Sequence, residues 1–227
     1  MSVIGEVART VDDRLAETLK GFGPLGILIT FIIPFAITPW IGALLAMLWA
    51  HWSRTPVSEI GYRRPTSWVV STLAGIVMGV TLKLLMKALV MPIVGANPIN
   101  SGYQYLTGNR AALPGMLFAV TVGAGFGEET VYRGFLFARF HRWFGSNRTA
   151  TTAIVLLTSA WFSIVHYPDQ GWSGVGQAAV TGLVFGTTFA ITGRIWLPMI
   201  AHAAFDLTAV VLIYRGLESN VAHWLFK

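Results

Sequence analysis

The chain has 227 residues, 54% of them hydrophobic and only 11% charged, with a formal net charge of +6. A soluble domain carries about 25% charged residues, so the composition excludes an ordinary soluble enzyme and predicts an all-α, polytopic integral membrane helical bundle, with about six to eight transmembrane helices. Continuous apolar runs exclude a membrane β-barrel, and the absence of cysteine excludes disulfides, thiolate metal sites and cysteine nucleophiles.

Residues 1–22 read as an amphipathic, interfacial segment. Val3, Val7, Val11 and Leu15 recur every four residues and predict one apolar stripe on a helix lying on the membrane. Residues 1–20 lack the apolar centre of a cleavable signal. From 23 to 227 the pattern is a single transmembrane helical domain. Its first span covers 24–50, with kinks expected at Pro34 and Pro39. The loop HWSRTPVSEIGYRRPTS follows, with Arg54, Arg63 and Arg64. The second span, 68–94, holds Lys83 and Lys87 one turn apart, and these either snorkel or face a polar interior.

A Gly/Asn/Pro-rich loop over 95–110 leads to a third apolar segment, 111–124, which runs on into GFGEETVYRG. ARFHRWFGSNR ends it with Arg139, Arg142 and Arg148. Spans over 149–166, 175–192 and 195–214 complete the chain, with YPDQGWSG as a loop free of Lys and Arg. The basic residues sit in short loops, which fits cytoplasmic loops and not a nucleic-acid-binding surface. They put 51–66 and 138–149 on the cytoplasmic side and leave 95–110 and 167–173 outside. The three basic residues of the N-terminal segment argue for the inside as well, which a single span over 24–50 does not allow.

Ionisable side chains at membrane depth are costly, so each is a functional candidate. Glu129 and Arg133 are four apart and share a helix face, which predicts an ion pair. Glu128 points about 100° away and is left without a local partner. A carboxylate in low dielectric without a partner meets one condition for general-base work near neutral pH. Gly123, Gly125 and Gly127 precede it and allow close helix approach or a helix break. AWFSIVHYP places His166 at a span end with Phe162 packed one turn back, and MIAHAAFDLTAV places His202 and Asp206 on one face. Asp206 in that position could orient His202 and fix its tautomer. This inventory suits water activation by a Glu–His pair, a metal site or a proton-coupled carrier, and residue chemistry alone does not choose among them.

Three of these elements form a pattern. EETVYR matches EExxxR, FSIVH matches FxxxH, and HAAFD matches HxxxN/D, in this order on successive apolar segments. Together they resemble the CPBP family, which includes the CAAX prenyl proteases of type 2 and the Abi relatives. The motif-bearing core is expected at about 111–215. The resemblance implies an intramembrane glutamic endopeptidase, with Glu128 as catalytic base, His166 helping it to activate water, and His202 with Asp206 at the oxyanion site. Glu129, Arg133 and Phe162 would support them. It implies no metal and no other cofactor. The expected partners are the lipid bilayer and a membrane-associated peptide or protein substrate, with no nucleic acid. The compact chain suggests a multi-pass protein of a prokaryotic plasma membrane. One departure stands out: well-known members carry Asn where this chain has Asp206, and an ionised Asp cannot donate a hydrogen bond to an oxyanion. The reading that follows has Asp206 orient His202, which is then the sole side-chain donor.

Other readings remain open at this point. A non-catalytic scaffold or bacteriocin-immunity-type protein of the same fold would use the polar cluster structurally. A proton-coupled carrier would use Glu128, Lys83 and Lys87, but two matching interrupted helices are not visible. A zinc enzyme would lack the HExxH spacing.

Overall fold

The computed structural model describes residues 3–33 and 38–226, and every regular element among them is helical. In chain order these are α1 (Val3–Lys20), α2 (Pro24–Ile27, prolonged by wide π-turns over Leu28–Ile32), α3 (Pro39–Trp52), α4 (Trp68–Ile93), α5 (Arg110–Phe144), α6 (Arg148–Ile164), α7 (Tyr167–Thr192), α8 (Trp196–Tyr214) and α9 (Glu218–Ala222). Helices α4, α5, α7 and α8 are long and apolar enough to cross a membrane. Their outer faces are greasy: Val69, Val70 and Val77 on α4 and Ile191 on α7 are exposed, as is Leu156 on α6. In water such a surface would aggregate; in a bilayer it faces lipid while the backbone satisfies itself within each helix.

Local chemistry sets the helix ends. The Ser67 side chain accepts from Val70 N and caps α4, and the Asn147 side chain accepts from Ala150 N and caps α6. Gly193 closes α7 in the left-handed region, at φ 59°. The segment YPDQGWSG, expected as a loop, is instead the first turns of α7, broken at Gly171, where φ is 60° and ψ −160°. Gly171 supplies the sharp change of direction that an L side chain would resist.

The N-terminal region also differs from expectation. Pro34 lies outside the described residues. Pro39 does not kink a continuous span: Thr38 is extended, and Pro39 opens α3 in the first turn, where its missing N–H costs nothing. Helix α3 then returns to the end of the bundle where α1 stands. There the Trp49 indole donates to Leu19 O at 2.9 Å, Arg54 pairs with Asp13, and Arg139 donates to Lys20 O at 3.0 Å and Phe22 O at 2.6 Å. Helix α2 thus starts from one end of the bundle and α3 comes back to it. This sets α1 beside 51–66 and removes the conflict over the basic N-terminal segment. On α1 itself, Leu15 of the expected apolar stripe is exposed, and the side chains of Val3, Val7 and Val11 lie outside the described residues.

Helix α5 is one continuous element with no break at GAGFG. Its centre, Ala119–Glu128 and Thr130–Leu136, is wound in π-turns. Moving the backbone bonds from i→i+4 to i→i+5 changes which carbonyls the ladder satisfies. Thr121 and Thr130 each donate a hydroxyl to the carbonyl four residues back, Leu117 O and Phe126 O, both at 2.6 Å. Gly127 lets the start of α3 approach: a Cβ there would come within 3.0 Å of Pro39 O.

The end of the bundle that carries 53–67 is sealed. Ile60 is fully buried, Ile195 N donates to Gly61 O at 2.9 Å, and the Trp196 ring meets Tyr62 and Trp68 edge to face. The Thr130 hydroxyl already donates to Phe126 O, so Tyr62 is the donor in the 2.7 Å bond between them. Burial pushes the Tyr62 phenol up to about 12, which keeps it a neutral donor.

Candidate active site

Glu128 and Glu129 sit near the middle of α5, yet they face different surroundings. Glu129 is fully buried and its Oε1 accepts two bonds, from Arg133 Nη1 at 2.9 Å and from His202 Nδ1 at 2.7 Å. The first is the ion pair expected from the four-residue spacing. Arg133 also donates to Gly182 O at 3.3 Å, and its guanidinium lies 4.6 Å from the centre of the Phe162 ring. This one arginine therefore ties α5 to α6 and α7.

The bond from His202 to Glu129 fixes the imidazole. A carboxylate that also accepts from Arg133 is an acceptor only, so the proton is on Nδ1. Nε2 then points to the opposite side, 3.7 Å from Glu128 Oε2 and 3.6 Å from Asp206 Oδ2. Both separations exceed a direct hydrogen bond. Asp206 therefore shares a face with His202, as its spacing predicts, but the side chain that bonds and orients the ring is Glu129. Phe185 and Phe162 flank the ring at centroid distances of 5.2 and 5.8 Å.

Glu128 has no such support. Its Oε2 is buried and makes no hydrogen bond among the described residues. His166 is within its electrostatic reach, carried to the same cavity by the end of α6. His166 Nδ1 lies 2.6 Å from Phe162 O, and a carbonyl can only accept, so Nδ1 bears the proton and Nε2 is left as the basic nitrogen. The Phe162 ring packs against His166 at a tilt of 60°, with 4.6 Å between ring centres. The candidates thus converge: Glu128, Phe162, His166, His202 and Asp206 all line one cavity of about 590 Å³, while Glu129 and Arg133 stand behind its wall.

Lys83 and Lys87 line the same cavity and do not snorkel. Lys83 Nζ donates to Gln177 Oε1 at 2.9 Å and lies over the Phe205 ring, and Lys87 Nζ pairs with Glu218 at 2.7 Å. Gln177 and Glu218 carried no signal in the sequence. Neither did Tyr103, on the 3₁₀ turn Ser101–Leu106, whose phenol is pushed up by burial, with the charges of Asp206 and Asp169 acting the same way. One further signal is readable in the sequence. Gly75 and Gly79 form a GxxxG pair on α4, and they bring its backbone against Ile200, Ala201 and Ala204 of α8, around His202. No group of three or more His, Asp or Glu side chains is arranged as a metal-ligand set among the described residues.

Residues 110–208 match the family model described as type II CAAX prenyl endopeptidase Rce1-like. This stretch contains all three motifs. No curated protein and no solved structure matches the chain.

Proposed function

Since residues 110–208 form an Rce1-like domain, from a family of membrane proteases, we propose that the chain hydrolyses a peptide bond of a membrane-associated peptide or protein with Glu128 as general base. In this mechanism Glu128 takes a proton from a water, aided by the basic Nε2 of His166, as the water oxygen attacks the scissile carbonyl. The carbonyl oxygen becomes an oxyanion and accepts from His202 Nε2–H. Because Nδ1–H is already given to Glu129, this donor exists only when His202 carries both protons; carboxylate oxygens of Glu128, Glu129 and Asp206 stand 3.7, 2.7 and 3.6 Å from its ring nitrogens. Collapse of the tetrahedral intermediate breaks the C–N bond, and Glu128 returns its proton to the leaving amine. Water is consumed, and no cofactor is invoked.

The observation that carries this reading is the division between the two glutamates. Glu129 accepts from both Arg133 and His202 on Oε1, with only its Oε2 unbonded, while the neighbouring Glu128 carboxylate lines the cavity and accepts no hydrogen bond among the described residues. A scaffold gains nothing from an unsatisfied buried carboxylate, which costs stability. The test compares new peptide termini in membranes bearing wild type and Glu128→Gln, with purified protein assayed alongside. Site-specific termini that vanish in the variant are expected, with folding unchanged. Undiminished cleavage by the variant would sink the assignment.

A further inference from the structure

We propose that the cavity opens on the non-cytoplasmic face of the membrane, so that the peptide segment it takes is presented from that side; this rests on the proteolytic reading. Two independent features meet here. The first is where the cavity lies. Its lining comes from the second half of α4, the 96–106 strap, the first half of α5, the end of α6, the start of α7, the second half of α8, and the C-terminal turn at Glu218, with only 38–40 reaching in at mid-depth. None of its lining comes from 53–67, 138–149 or 193–196. That opposite end is the one sealed by Ile60, Tyr62 and Trp196.

The second feature is charge. The sealed end carries three arginines in 53–67, three in 138–148, and Arg194. Helix α1, with Arg14 and Lys20, packs on that same end, as its bonds to Trp49 and Arg139 fix. At the cavity end the described residues supply Arg110 and Arg215 outside the helix interiors. Short loops rich in Lys and Arg stay in the cytoplasm. The return of α3 to the end where α1 stands means that α1 and the loops agree on the sealed end as the inner one. The substrate class follows: a translocated peptide, or the outward-facing stretch of a membrane protein, and not a soluble cytoplasmic chain.

The cysteine-free chain makes the test direct. Ser101→Cys and Ser173→Cys place a thiol at exposed positions of the cavity mouth, and Ser58→Cys places one at the exposed sealed end. Right-side-out vesicles are treated with a membrane-impermeant maleimide before and after permeabilisation. Residues 101 and 173 are expected to label at least tenfold faster than 58 before permeabilisation, with the difference lost afterwards. Labelling of 58 first, or of all three equally, overturns the proposal. A membrane-anchored reporter peptide, displayed on either face of the same vesicles, separates the two ideas. Cleavage of the outer reporter alone supports both. Cleavage of the inner one overturns the orientation. Expected labelling with neither reporter cut counts against proteolysis and leaves the orientation standing.

Discussion

Glu128 and Glu129 are chain neighbours, and exchanging either for glutamine should have opposite effects. Glu129→Gln keeps the shape but takes the charge from beneath Arg133 and His202. A buried guanidinium left without its anion costs about 3–5 kcal/mol, so thermal unfolding in detergent should shift sharply downward. Glu128→Gln removes a carboxylate with no hydrogen bond at its buried oxygen, and the same measurement should show stability unchanged or raised while cleavage is lost. A shared fall in stability would mean that the two residues belong to one structural cluster. At the other side of His202, Asp206 is 3.6 Å from Nε2. If His202 is the donor to the oxyanion, His202→Ala lowers kcat by roughly 100- to 1000-fold. Asp206→Asn should stay within a few fold of wild type, because an amide N–H can donate where the carboxylate could not. A loss in Asp206→Asn as deep as in His202→Ala would show that the charge at 206 is itself required.

At the scale of the elements, α4 and α8 matter most to the site, although the family match ends at residue 208 and begins after α4. Gly75 and Gly79 remove the side chains that would hold the two backbones apart. A Cβ at Gly75 would stand 2.7 Å from Ile200 Cγ2, and one at Gly79 would meet the Ala201 carbonyl and stand 2.8 Å from Phe205 N. Backbone cannot retreat as a long side chain can. Gly79→Leu should therefore push α8 outward and carry His202 away from Glu129. Such overpacking costs about 1–3 kcal/mol, but the loss of cleavage should be far larger than the loss of stability. Comparing kcat with the melting temperature in Gly79→Ala and Gly79→Leu checks this. Activity that tracks stability alone would mean that α4 is only a packing wall. The GxxxG pattern was visible in the sequence; which helix it would face was not, because spacing on one helix says nothing about the partner.

For the molecule as a whole, the sequence carried the periodic and pairwise features: the long apolar helices, the Glu129–Arg133 pair, and the order of the three motifs. It could not carry contacts that depend on the return of the chain. Residues 24–52 looked like one span because their apolar content is continuous, and the return shows in contacts to α1: the bonds from Trp49 and Arg139 to its end and the pairing of Arg54 with Asp13. The fate of Lys83 and Lys87 was undecided for the same reason, since Gln177 and Glu218 are 94 and 131 residues away from them in sequence. Glu218 shows what such a contact does. It pairs with Lys87 of α4 at 2.7 Å, and it accepts from Asn100 N at 3.2 Å and from Gln104 Nε2 at 2.8 Å. One buried carboxylate thus joins α9 and α4 to the strap that forms one wall of the cavity mouth. Glu218→Ala strands a buried ammonium and two donors, and a decrease of about 3–5 kcal/mol is expected. Hydrogen exchange at 100–106 should rise by more than at Gly182 or Phe185, where α7 is held by Arg133 and close packing. A double change, Lys87→Met with Glu218→Leu, removes both charges and should recover most of the stability while leaving the strap loose, since its two donors still lack their acceptor. Recovery of exchange protection along with stability would assign the strap's order to apolar packing and not to Glu218.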